Sequence, residues 1–418
     1  MSKIKKGLIG ILIIAIIAIL LLYPKLKRLN HIIHLFDEDR IVENFRSFDK
    51  IMDVSQLTPS PNLYTYPLGE TIDLPNTFIH QGTKISTEDF IKDSRTTGLL
   101  VIQDGNIVYE KYYLGNTKDT KNISWSMAKS FISALVGIAV KEGHIKSIEQ
   151  TADEYCPILK GSGYEGITIK NILQMSTGVK FDEDYGDFNS DINRWGRGFA
   201  WGSSQDKFAA TLVNDHPQGT FNNYVSINTH VLGMILTKAT GRSVTEYMQE
   251  KFWNPIGAEH NAYWIVDDQK MEAVLGGFNA TVRDFAKIGS LYLNKGRFNG
   301  KQIVPEKWVR ESVTPDAPHL KPGKNEHSSR LLGYGYQWWI VDGDMGEFMA
   351  QGVYNQNIYV NPVTNTVIVK LSANDKYNDK SYTPSLSSTA VAFFRAIAES
   401  QKVRPEVKII EFETEINE

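Results

Sequence analysis

Thr97–Val140 reads TGLLVIQDGNIVYEKYYLGNTKDTKNISWSMAKSFISALVGIAV. Its first part holds two apolar, β-branched runs, LLVIQ and NIVYE, on either side of Asp104-Gly105. That pair accepts the positive φ values of a tight hairpin turn, so a sheet starts here. From Ser126 the period changes. Met127, Phe131, Leu135, Ile138 and Ala139 recur at helical spacing, closed by Gly143, which predicts a buried helix. Ser126 and Lys129 stand three apart at its start and therefore share a face. The helix N-terminus adds free N–H groups and positive potential where an attacked carbonyl would develop negative charge. A lysine desolvated at that position would have a lowered pKa and could serve as a base. The same spacing also suits a capping serine followed by a solvated lysine, although a lysine in the first turn has the wrong sign for the helix dipole.

Downstream, Thr168 to Met175 and Asn228 to Thr240 predict helices, separated by a loop-rich, aromatic stretch from Phe181 to Trp201. Gln337 to Val341, Asn357 to Val360 and Thr366 to Leu371 predict strands, and Thr383 to Ser400 a last helix. Strands, a long helical middle, strands and a helix describe a sheet domain with an inserted helical subdomain, at about 145–285 within a domain spanning 85–400. Upstream, Gly7–Tyr23, GLIGILIIAIIAILLLY, is 17 residues without a charge. As a helix it spans roughly 25 Å, just enough to cross the hydrocarbon of a bilayer. Lys3, Lys5 and Lys6 precede it and Lys25, Lys27 and Arg28 follow, so the charge rule leaves its orientation open. Pro24 is expected to stop the helix, and the bulky exit LLLYPK lacks the small residues of a cleavage site. Residues 1–29 therefore read as an uncleaved membrane anchor, the proline-dotted 30–84 as a linker or strap, and 401–418 as a tail.

Composition narrows the classes. Lys plus Arg is 45 and Asp plus Glu 48, a net charge of −3, which gives no basis for a nucleic-acid-binding surface. One cysteine, Cys156, excludes a disulfide framework and any multi-thiolate metal site, and reads as a small buried residue. No HExxH, phosphate loop or Gly-x-Ser-x-Gly occurs. His31 and His34 read as an interfacial polar pair, and Asp182, Glu183 and Asp184 as a solvated loop rather than a carboxylate pair for sugars.

Four Ser-x-x-Lys matches occur, at Ser2, Ser47, Ser126 and Ser204, and of these Ser126/Lys129 opens a strongly apolar helix after a hairpin. Tyr224, in FNNYVSINTHVLG, is a second candidate: beside a cationic lysine its phenol pKa would fall, fitting it to relay a proton. Gln351-Gly352-Val353 is the third, with a glycine that lets a substrate lie against a strand and a backbone N–H as oxyanion donor.

SMAK at Ser126–Lys129, YVS at Tyr224–Ser226 and the glycine-bearing strand near Gly352 form an ordered set. The set resembles the serine β-lactamase and penicillin-binding-protein superfamily, most closely its class C-like branch of esterases and 6-aminohexanoate-dimer hydrolase. ILQMSTGV at Ile172–Val179, GGFNATVRDFAKIG at Gly276–Gly289, GYGYQWW at Gly333–Trp339 and GVYNQNIYVNP at Gly352–Pro362 are similar to that branch as well. The resemblance implies a β-lactamase-like α+β fold with an antiparallel sheet flanked by helices. It implies Ser126 as acylated nucleophile, Lys129 and Tyr224 as an acid–base pair whose roles stay undivided, and the N–H groups of Ser126 and Val353 as oxyanion hole. It implies no cofactor or metal, and an extracytoplasmic active domain. Ser226, Gln351, Gly352, Tyr185 and Trp201 are the expected substrate contacts; core packing explains Tyr185, Trp195, Phe199 and Trp201 equally well.

Two departures bear on the substrate. Ala350-Gln351-Gly352 stands where relatives carry a cationic Lys-Thr-Gly or His-x-Gly, and Ser226 replaces the usual asparagine. Losing the cation favours a neutral ester or amide. A β-lactamase or D-Ala-D-Ala carboxypeptidase, and a non-catalytic sensing module, remain the rival readings.

Overall fold

The computed structural model of the chain describes residues 3–379 and 381–400; the expected tail, 401–418, lies outside them. In chain order, the elements that position the site begin with α1 (Lys3–Ile33), β1 (Val54–Leu57), the hairpin β2 (Thr96–Gln103) and β3 (Asn106–Tyr112), and β4 (Asn122–Ile123). Then come α2 (Ala128–Lys141), α3 (Asp191–Trp201), α4 (Ser226–Thr240), β5 (Ala262–Ile265), β6 (Phe278–Ala280) and α5 (Val282–Leu293). The chain returns through β7 (Gly333–Tyr334), β8 (Trp339–Ile340), β9 (Phe348–Gly352), β10 (Gln356–Asn361) and β11 (Thr366–Ser372) and closes on α6 (Ser387–Ser400).

The larger sheet runs β7-β8-β9-β10-β11-β2-β3, antiparallel throughout. Asp104 and Gly105 both take positive φ at the β2–β3 turn, as the hairpin reading requires. Strand alternation sends Leu100, Ile102, Ile358, Val360, Val367 and Val369 into one core, against α2 and α5. Leu99, Val101, Tyr359 and Ile368 face the opposite side, where Phe393, Phe394 and Ile397 of α6 cover them. Both faces are buried, which explains why β2 reads as a continuous apolar run. A smaller antiparallel sheet, β1-β5-β6-β4, lies inside and beside the mostly helical middle. The architecture is the expected α+β fold, helices flanking an antiparallel sheet.

Three expectations need correction. Pro24 does not stop α1, which continues to Ile33. An internal proline costs about 3 kcal/mol, and the turns beyond it make contacts that set against this cost: Arg28 donates to Asp268 at 2.9 Å, Lys25 lies 3.6 Å from the same carboxylate, and α1 packs on α3. The second concerns Phe181 to Trp201, which is not all loop. Residues 191–201 form α3, started by Ser190 Oγ accepting from Asn193 N and ended at Gly202 in the left-handed region; Gly196 and Gly198 inside the run hid the period. The third is the 30–84 segment, which does more than link: β1 pairs with β5, and Thr77–His80 pairs with Thr83–Ser86. Leu8–Ile33 is long and apolar enough to cross a membrane, a property that an N-terminal signal sequence shares.

Candidate active site

α2 is entered through a single 3-10 turn, Trp125–Met127. Trp125 sits at φ +44°, a conformation a bulky residue adopts only when its surroundings impose it. The surroundings are β9: a Cβ on Gly352 would stand 2.5 Å from the Ser124 carbonyl oxygen and 3.0 Å from Trp125 Cβ. Glycine here lets the strand end press on the turn that carries Ser126, whereas the sequence suggested room for substrate. Ser126 and Val353 consequently lie side by side, lining the same two cavities.

One turn into α2, Lys129 is 1% exposed. Its Nζ donates to Ser126 Oγ at 2.9 Å, to Ser226 Oγ at 3.2 Å and to the Leu275 carbonyl at 2.6 Å, and lies 5.3 Å above the Tyr224 ring. Burial pushes its pKa down to about 7, with the charge of Glu183 opposing. Ser226, the first residue of α4, donates its N–H to Glu183 Oε1 at 3.2 Å and its hydroxyl to Oε2 at 3.1 Å. Burial raises the Glu183 carboxyl above its ordinary range, against the pull of Lys129 and the two Ser226 bonds.

These partners decide where a lone pair on Lys129 points. The Leu275 carbonyl can only accept, and the Ser226 hydroxyl proton is committed to Glu183. When Lys129 is neutral, the remaining hydroxyl able to donate to it is that of Ser126.

Tyr224 is stacked on Trp339, with ring centroids 5.2 Å apart, and hydrogen-bonds the Ser126 hydroxyl. Its phenol is shifted upward, first by burial and then by the charge of Glu183, opposite to the lowering expected from a neighbouring cation. A lysine that loses its own charge near neutrality cannot supply that cation steadily.

The structure brings Ser126, Lys129, Tyr224, Ser226, Val353, Gln351, Gly352 and Tyr185 together; Trp201 is not among them. It ends α3 exposed, with Lys25 Nζ 5.9 Å from its ring, and lines neither cavity. The reason is helical geometry: Trp195 and Phe199, four apart, take the inner face of α3, and Trp201 falls outside it.

Two residues escaped the sequence reading. Glu183 was placed in a solvated loop. The signal was alternation, since Phe181, Glu183 and Tyr185 turn inward while Asp182 and Asp184 are exposed. Arg330, from the loop before β7, lines the polar cavity and returns a cation that β9 lacks at Ala350-Gln351-Gly352; no sequence pattern marked it. Among the described residues, no cluster of metal-ligating side chains occurs.

Comparison with known proteins places this geometry. A family model described as Beta-lactamase matches residues 87–385. The 6-aminohexanoate-dimer hydrolase of Paenarthrobacter ureafaciens is 30% identical over 294 residues, covering 68% of this chain and 74% of that protein. Among solved structures, a candidate 6-aminohexanoate-dimer hydrolase from Bacillus anthracis superposes with a TM-score of 0.77 at 25% identity, covering 89% of this chain and 97% of that one. A hydrolase with promiscuous acyltransferase activity shares the fold at a TM-score of 0.58 and 13% identity, over 75% of this chain and 96% of its own.

Proposed function

The chain belongs to the β-lactamase family as an amide or ester hydrolase of that fold, and from that premise we propose that Ser126 is its acylated nucleophile. Neutral Lys129 takes the Ser126 proton as Oγ attacks the substrate carbonyl. The N–H groups of Ser126 and Val353 receive the developing oxyanion. Tyr224 passes its phenol proton to the leaving alcohol or amine and regains one from protonated Lys129, so both return to their starting states. Water then attacks the acyl carbonyl, giving a proton to neutral Lys129, and as the acyl–Oγ bond breaks that proton returns to Ser126 Oγ and the carboxylic acid is released. Ser226 and Glu183 act behind Lys129 by fixing which partner its lone pair faces. The observation that carries the reading is the Lys129 contact set, in which Ser126 is the remaining proton donor. Expected is Ser126-dependent hydrolysis of p-nitrophenyl esters by the full-length chain; turnover unchanged in Ser126→Ala would overturn it.

Arg330 in the polar cavity favours a second reading, a substrate with a carboxylate on its leaving side, such as a penicillin. Turnover of a chromogenic β-lactam would support it. For location, the reading is an anchor through residues 7–23 with the hydrolase domain outside the cytoplasm, supported by the apolar run and its bulky exit. Membrane fractions should contain the chain at its full mass, and recovery of a shortened soluble form would contradict an anchor.

A further inference from the structure

Two cavities meet at Ser126, and their linings differ in kind. The polar one, about 660 Å³, is lined by Tyr224, Arg330, Gln351, Asn355, Asn357 and Glu183 among others. The other, about 300 Å³, is walled by Ile32, Phe48, Trp125, Trp195, Phe199 and Ile265. It offers room for on the order of ten groups the size of a water or methylene. Its one charged lining residue, Arg197, is already engaged: the guanidinium lies 3.7 Å over the Phe188 ring and donates to the Phe188 carbonyl at 2.5 Å. Among the described residues, no carboxylate lines it.

Tyr224 lines the polar cavity and not the apolar one. The atom it protonates, the leaving oxygen or nitrogen, must then sit on the polar side, and the acyl part of the substrate is directed into the apolar cavity. Ile32 and Ile33, the last residues of α1, are part of that cavity's wall. Ten residues of helix rise lie between Tyr23 and Ile33, so this wall of the cavity stands about 15 Å along α1 from the end of the apolar run.

Resting on the hydrolase reading above, we infer that the substrate is an amphiphile: an ester or amide whose acyl part is a linear, methyl-ended alkyl chain held in the apolar cavity, and whose polar leaving group occupies the cavity of Arg330. Attack by Ser126 forms the acyl–Oγ bond and expels the polar alcohol or amine with a proton; water then releases a fatty acid. A chain ending in an ammonium group finds no carboxylate in that cavity.

The test uses the full-length chain in lipid nanodiscs with p-nitrophenyl acetate, hexanoate, octanoate and 6-aminohexanoate. Each added methylene should raise kcat/KM by about two- to fourfold, so the six methylenes between acetate and octanoate give octanoate an advantage of about 60- to 4,000-fold. Hexanoate should exceed 6-aminohexanoate by at least about tenfold. Gly196 lines the apolar cavity, and a Cβ added there meets no atom within 4 Å. Gly196→Leu should therefore fill the cavity and cut the octanoate-to-acetate ratio by about tenfold or more, a comparison in which partitioning of the ester into lipid cancels. A flat chain-length series, a preference for the ammonium-ended ester, or a ratio unmoved by Gly196→Leu, each with turnover still dependent on Ser126, would overturn the inference and leave the hydrolase standing. Absence of Ser126-dependent turnover on every ester would remove both.

Discussion

Two of the buried lysines sit on helices packed in the same core and follow a polar residue by three positions. Lys129 follows Ser126 on α2, and Lys287 follows Asp284 on α5. Spacing and burial are alike; the partners are not. Lys287 Nζ lies 3.1 Å from Asp284 and 3.3 Å from Glu259, and donates to the carbonyls of Tyr64 and Gly257 at 2.8 and 2.7 Å. Every one of those groups accepts, so Lys287 ties the upstream strap and the segment before β5 to α5. Burial works against ionisation of Asp284, yet His260, Lys287, the Glu259 N–H and Thr281 outweigh it and hold the carboxyl below its ordinary range. Lys129 touches hydroxyls and a carbonyl, with its carboxylate one residue further away. Burial without a direct counter-ion brings the lysine to the edge of neutrality, and one hydroxyl is left to give it a proton. The lesson is that Ser-x-x-Lys and Asp-x-x-Lys place atoms alike, and the second partner decides between chemistry and support.

Substitutions should separate the two sites. The largest effect is expected from Ser126→Ala, a loss in kcat of about 10⁴- to 10⁶-fold toward p-nitrophenyl esters, with the thermal transition unmoved. Lys129→Met should cost about 10³-fold in kcat without loss of stability, because it removes a buried amine that has no direct ion partner. Lys287→Met should do the reverse, destabilising by about 3–5 kcal/mol in denaturant titration by leaving Asp284 and Glu259 short of their cation. If both variants lost activity while keeping stability, the contrast would fail. Tyr224→Phe is expected to lower kcat by about 10²-fold, more for poor leaving groups such as amides than for p-nitrophenol.

The smallest effect is a shift in pH dependence. In the proposed mechanism the active form is neutral Lys129, so kcat should climb about tenfold per unit up to pH about 7 and level off above it. Glu183 favours the charged lysine, so Glu183→Gln should move this limb to lower pH. A limb that moved upward, or stayed put, would place the titrating group elsewhere.

The legible part of this fold came from period and punctuation. Asp104-Gly105 between β-branched runs announced β2–β3, and the shift to helical spacing at Ser126 announced α2. The candidate triad was legible because resemblance tied three short motifs that periodicity alone could not connect. What stayed hidden depended on tertiary contacts. Pro24 was read by its local cost alone, whereas the turns beyond it dock on the fold: Lys25 and Arg28 pair with Asp268, some 240 residues away, and α1 packs on α3. α3 was masked by its glycines, one of which borders the apolar cavity. Glu183 looked like one of three solvated acids until the fold turned alternate residues inward. The upward shift of Tyr224 required knowing that the fold buries its phenol and brings Glu183 near it.

The most direct test of the central claim is the rate and site of labelling by an alkyl fluorophosphonate, read by intact mass and peptide mapping across pH. The account predicts one adduct, on Ser126, forming faster with rising pH up to about 7 and at least about 100-fold more slowly in Lys129→Met. An adduct on another residue, or labelling of Ser126 indifferent to both pH and Lys129, would contradict it.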